Sequence, residues 1–183
     1  MEARLSSDFS VDELASAADV SRRTIFNHFA SMDDVIIEVC GNELGVVVEQ
    51  LASIPPAAAG IHRSMFDELA ATVRETDLIG PMVYLTRLLG SDDPELSTRQ
   101  LHMASRAFAE ISGRLGSEMR HRHPDADPLD IHLLVSSMTN GLMVMYGHWI
   151  SVAGTTDSND SRELWGRLLE RLVESLRNGF GAL

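Results

Sequence analysis

Apolar residues recur along this chain at helical spacing, and no stretch alternates apolar and polar positions as a strand would. The pattern predicts helices near 11–17, 21–28, 32–52, 61–75, 80–89, 95–121, 128–153 and 161–179. The breaks between them are chemical. Pro55 and Pro56 in IPPAAAG (54–60) forbid helix, and Gly80-Pro81 interrupts or bends one. GSDDPE (90–95) is a turn in which Asp92 or Asp93 caps a helix that admits Pro94 in its first turn. HPDADP (123–128) and GTTDSNDS (154–161) are further turns. The expected fold is all-α, with a small head over 1–40 and a larger helical body over 41–183.

The first two helices are short. Ser10 and Glu13 form the two ends of a capping box, S-V-D-E, before a helix that places Val11, Leu14 and Ala15 on one face. Ala18-Asp19-Val20 makes a tight turn, and Ser21 caps RRTIFNHF. Ile25 and Phe29 point inward at i, i+4, with Val20 expected as an apolar plug between the helices. Arg22, Arg23, Thr24, Asn27 and His28 then face out. This is a helix-turn-helix layout, whose second helix offers side chains to the major groove. Arginine bonds guanine and asparagine bonds adenine in bidentate fashion, while Ser, Thr and His reach phosphate oxygens. The spacing alone also allows an ordinary helical hairpin with a solvated face.

The run DELASAADVSRRTIFNHFASMDDV resembles the signature of the tetracycline-repressor (TetR) family of bacterial regulators, roughly I-A-x-x-A-G-V-S-x-x-T-[FIL]-[FY]-x-[HY]-F-x-[SN]-K-[ED]-[ED]-L. The resemblance covers about 25 residues and implies that Ser21, Arg22, Arg23, Thr24, Asn27 and His28 contact DNA. His28 falls where the family often places a phosphate-contacting Tyr or His. Three departures matter. Met32 stands where the family has a basic residue, which removes one phosphate contact and about one counterion from the salt dependence. Only MEARLSSDF precedes Ser10, where the family has a full first helix. Met1 and Leu5 form at most a stub there, Phe9 is a candidate staple, and the inner faces of Leu14, Ile25 and Phe29 are expected to be exposed. A longer native chain upstream is the expectation. Residues 1–40 carry three arginines against eight acids, an unfavourable field for steering toward DNA.

Farther along, 128–153 has an apolar stripe of Ile131, Leu134, Val135, Met138, Leu142, Met145, Trp149 and Val152. A second stripe holds Ser137, Gly141, Val144, Gly147 and His148. The last helix carries Leu164, Leu168, Leu172 and Leu176 beside Trp165, Leu169 and Val173. That apolar face is wider than one intrachain contact needs. The family resemblance implies that these two helices pair with their copies in a symmetric homodimer, with an interface at Ser137, Gly141, Val144, His148 and the four leucines. It also implies an effector pocket among the middle helices. Met65, Phe66, Met82, Leu88, Met103 and Met138 are candidate soft lining, as is Phe108, although each is more often plain core. Tyr84, His102 and Arg106 are candidate polar contacts.

Composition narrows this picture only a little. Hydrophobic residues make up 44% of the chain, ample for a core, but aromatics only 5%, so Leu, Val, Ala and Met must fill it. All 15 basic residues are arginine, and the net charge of −12 argues against non-specific coating of nucleic acid. Cys40, the one cysteine, lies in an apolar run and reads as core. RHRH (120–123) with Asp125 and Asp127 has metal-ligand residue types, but cations are expected at a helix C-terminus. No phosphate loop, catalytic triad spacing or cofactor motif is present, so no enzyme is expected. No membrane span or signal peptide is apparent, and the expected location is cytoplasmic. The expectation is a dimeric repressor released from a palindromic operator by a small apolar or amphipathic effector. The alternative is a relative that keeps the ligand-binding dimer and has weak or lost DNA binding.

Overall fold

The structure, a computed structural model, describes residues 10–55, 64–88, 97–154 and 157–179. These residues form α1 (Val11–Ala17), α2 (Arg22–His28), α3 (Met32–Leu44), α4 (Val46–Ser53), α5 (Met65–Glu75), α6 (Ile79–Leu88), α7 (Thr98–Arg122), α8 (Pro128–Ala153) and α9 (Asn159–Asn178). The described chain is all helix and turn, as the pattern predicts. The turn at 90–95, most of the 54–60 loop and the packing of Met1, Leu5 and Phe9 lie outside the described residues. No described helix is long and apolar enough to cross a membrane.

Serine starts most of these helices. Ser10, Ser21, Ser31, Ser64, Ser97 and Ser158 each accept a bond from the backbone N–H three residues on, satisfying a donor the helix leaves free. Asp127 caps α8 by accepting from the Leu129 N–H, two residues on, with Pro128 in the first turn.

The expected single helix over 32–52 is two helices. The Gly45 N–H turns to the carbonyl of Asn42, three residues back, and α4 restarts from Gly45. A Cβ at Gly45 would sit 2.9 Å from the Arg114 guanidinium, so glycine lets α7 close on the joint. Arg114 Nη1 donates to the Gly41 carbonyl at 3.2 Å, fixing the end of α3 to α7.

In the body, α7 packs on α3, α4 and α8, and α8 lies between α7 and α9. The inner stripe of α8 falls where its period places it. Ile131, Val135, Met138, Leu142, Met145 and Trp149 are buried, whereas Val152 is exposed. On α9 the buried line is Trp165, Leu169 and Val173, with Leu164, Leu168, Leu172 and Leu176 half-buried beside it. Trp149 and Trp165 meet edge to face at 5.6 Å, and Trp149 Nε1 donates to the Ser161 carbonyl at 3.0 Å. Gly141, expected at the dimer face, holds Leu172 of its own chain where a Cβ would otherwise sit. Its small size therefore has an intrachain cause.

Buried polar groups are few, and among the described residues all but the Ser161 hydroxyl are hydrogen-bonded. The Tyr146 and Thr86 hydroxyls bond at 2.8 Å, and Thr86 also donates to the Met82 carbonyl. Burial, the main cause, raises the Tyr146 phenol far above the ordinary tyrosine range. Glu68 on α5 takes Arg122 Nε at 2.6 Å and His123 Nε2 at 2.6 Å, while Arg122 Nη1 reaches the Ile54 carbonyl. RHRH thus supplies an internal ion cluster. No group of three potential metal ligands exists among the described residues. Cys40 is core: burial pushes its thiol up to about 12, which leaves no reactive thiolate.

Candidate nucleic-acid interface

The head is built from α1, α2 and the start of α3. Both halves of the Ser10–Glu13 capping box form, with the Ser10 N–H donating to Glu13 at 2.8 Å. The expected tight turn has Asp19 at φ 52, a left-handed conformation that aspartate tolerates. It carries the Val20 N–H back to the Ala15 carbonyl at 3.0 Å and leaves the Val20 side chain exposed. The plug between α1 and α2 is therefore Ala15 against Ile25, both buried, and not Val20. Leu14 and Phe29 are half-buried, so of the three inner faces expected to be open only these two are partly so.

Residues four apart share a face of α2. Ile25 and Phe29 face inward. Arg23 and Asn27 share the middle of the outward face, Arg22 and Phe26 flank it on one side, and Thr24 and His28 on the other. Arg22, Arg23, Asn27 and His28 are exposed, and Thr24 is half-buried. The Ser21 hydroxyl is engaged as the cap, accepting from the Thr24 N–H at 3.1 Å and bonding the Thr24 hydroxyl at 2.9 Å. Both hydroxyls keep acceptor capacity.

Two features of this face escaped the sequence reading. Phe26 is 48% exposed beside the arginines. Once Ile25 is assigned inward, the next residue must point outward, and that signal was available. Arg22 lies 3.3 Å from Asp12 of α1 in an exposed ion pair. Spacing along the chain gives no sign of this contact.

The acidic pair after Met32 faces α7. Asp33 takes both nitrogens of an Arg99 fork, and Asp34 takes Arg106 Nη1 at 2.9 Å together with the Ser31 hydroxyl at 2.9 Å. The Arg99 hydrogen bonds hold the Asp33 carboxyl below its ordinary 3.8. Ser31, then Arg106, does the same for Asp34. Carboxyls with depressed folded-state pKa values stabilise the fold above their unfolded value and lose that contribution as pH falls through the folded one. The head-to-body joint should therefore weaken below about pH 4. Denaturant midpoints measured from about pH 5 to 3 should fall less steeply in an Asp33→Asn/Asp34→Asn variant than in the parent. An unchanged slope would mean that these bridges carry nothing.

The body residues expected around an effector are scattered. Met82, Leu88, Met103 and Met138 are buried core. Phe66 is half-buried under the Arg177 guanidinium, 5.1 Å from its ring, and Met65 lies beside it in sequence, also half-buried. Arg106 is committed to Asp34, His102 is exposed, and Tyr84 is half-buried with its phenol raised by burial, then by Glu43. None of these nine lines a cleft of about 320 Å³ between α7 and α8, with Phe108 and Val135 in its wall. The long methionines fill space that a pocket would need to leave open. Met82 alone borders a second, apolar void of about 20 Å³.

Residues 7–39 match the family model for bacterial regulatory proteins, tetR family. Neither the curated proteins nor the solved structures gave a significant match to the chain. The match covers α1, α2 and most of α3, including the outward face of α2. The head is thus similar to the DNA-binding region of bacterial regulatory proteins of the tetR family.

Proposed function

We propose that the protein is a homodimeric repressor that holds a palindromic operator through two copies of α2 and lets go when a small molecule binds the body. The observation that carries the reading is the outward face of α2, where Arg22, Arg23, Asn27 and His28 are exposed on a capped helix inside the matched segment. Arg23 and Asn27 are placed for base edges, and His28, Thr24 and the Ser21 hydroxyl for phosphates. Phe26 supplies an apolar surface suited to a thymine methyl group.

The test is binding to DNA upstream of the gene at low salt. Arg22→Ala and Arg23→Ala should each weaken specific binding by about 1–3 kcal/mol. Asp12→Asn should act in the opposite sense. It frees Arg22 from an exposed pair worth no more than about 1 kcal/mol and removes one acid from the head. A parent chain with no sequence preference would leave the second reading, a ligand-binding dimer with lost DNA contact. The excess of acids over arginines in residues 1–40 and Met32 are what favour that alternative.

Dimerisation is supported by α8. Leu129, Leu133, Val144 and Val152 are all more than half exposed on one helix, and the half-buried leucines of α9 lie beside them. Apolar area of this kind is usual at a protein interface. Ser137 and His148 are exposed on the same side of α8 as Val144. Val144→Asp, at a position 70% exposed, should leave the fold intact and shift the sized species from twice 20.1 kDa to a single chain. A parent that already sizes as one chain would overturn the dimer.

A further inference from the structure

The geometry points to the cleft between α7 and α8 as a binding site for a small amphiphile with a carboxylate head and an apolar body. Its volume of about 320 Å³ lies within the range of small-molecule sites. One end is cationic. Arg120 of α7 folds back over Gly116, its guanidinium 3.5 Å from where a Cβ would stand, and rests on the Ser117 hydroxyl at 2.9 Å. His132, in the second turn of α8, lines the opposite wall. In a chain with 27 acids against 15 arginines, neither has a carboxylate partner among the described residues. Of the other basic groups on the same stretch, Arg122 and His123 are committed to Glu68, and His121 is exposed.

The remainder of the wall suits an apolar body with a polar edge. Phe108 and Val135 are buried and form its apolar part. Asn140 donates its amide N–H to the Ser136 carbonyl at 2.8 Å, which leaves its own amide oxygen as an acceptor. Behind Phe108 lies the apolar void of about 20 Å³, bordered by Leu44 and Val47 on either side of the α3–α4 joint. A ligand that displaces Phe108 inward therefore presses on the helix that begins in the head. That coupling rests on the ligand-response reading above, whereas the site itself rests on the cleft alone.

The test uses the full chain and octanoate as probe, with octanamide as the uncharged control. Titration calorimetry should give saturable octanoate binding at one site per chain and a raised melting temperature, with neither effect from octanamide. Arg120→Gln with His132→Gln should weaken octanoate on the order of tenfold while melting like the parent. Ser136→Trp, which fills the cleft, should abolish binding. No octanoate binding, equal binding of octanamide, or unchanged affinity in the Arg120→Gln/His132→Gln variant would each overturn the site. Operator binding measured with octanoate present is read separately. Saturation without release of DNA would retain the site and remove its role in regulation.

Discussion

Glu68→Ala should destabilise the fold by about 3–5 kcal/mol, the usual result of removing one partner from a buried ion pair. The Glu68 and Arg122 side chains are 8% and 9% exposed. Deleting the carboxylate strands a guanidinium that, among the described residues, keeps only its bond to the Ile54 carbonyl, and it also strips His123 of its acceptor. At roughly 2–4 °C per kcal/mol for a chain of this size, the melting temperature should drop by about 10 °C. Glu170→Ala is the control. Its bridge to Arg74 is better exposed, and its loss should cost no more than about 1 kcal/mol. Equal effects in the two variants would show that the buried cluster has no special structural weight.

A loss of similar size, about 3–5 kcal/mol, is expected for Trp149→Ala. Trp149 is fully buried, stands edge to face with Trp165, and carries the one side-chain bond to the Ser161 carbonyl at the start of α9. Alanine leaves a large apolar void and an unpaired carbonyl together. Denaturant midpoints give the stability loss, and the fluorescence of the remaining Trp165 reports whether α9 stays docked. Trp149→Phe keeps a ring against Trp165 and should retain a good part of the stability. A loss below about 1 kcal/mol for alanine would mean that α9 is held elsewhere.

These two sites show where the chain could be read unaided and where it could not. The inner stripe of α8 is a pure period, and Trp149 fell on it. The caps at Ser10 and Ser21 were equally plain, whereas Ser31, Ser64, Ser97 and Ser158 were not singled out, and α7 is capped by Ser97 where Asp92 or Asp93 was expected. The exposed residues of α2 followed from placing Ile25 and Phe29 inward. Glu68 was invisible, because its partners lie 54 and 55 residues away and nothing local marks them. The break at Gly45 was missed for a related reason. The glycine leaves room for the Arg114 guanidinium, on a helix remote in sequence. Arg106 was read as a ligand contact because spacing cannot show that Asp34 claims it. The methionines were ambiguous from the start, since the side chain that adapts to a ligand also fills a core.

The head has a thin interior of its own: among the described residues of α1 and α2, only Ala15 and Ile25 are buried. Little apolar area therefore opposes its local opening, whereas the body is sealed by buried side chains on seven helices. Warming should then separate two events. The reading helix would lose its order, and its grip on DNA, at temperatures where the body still melts as an intact unit. On the proposed reading, bound DNA would hold α2 in place and supply part of the stability that the head lacks.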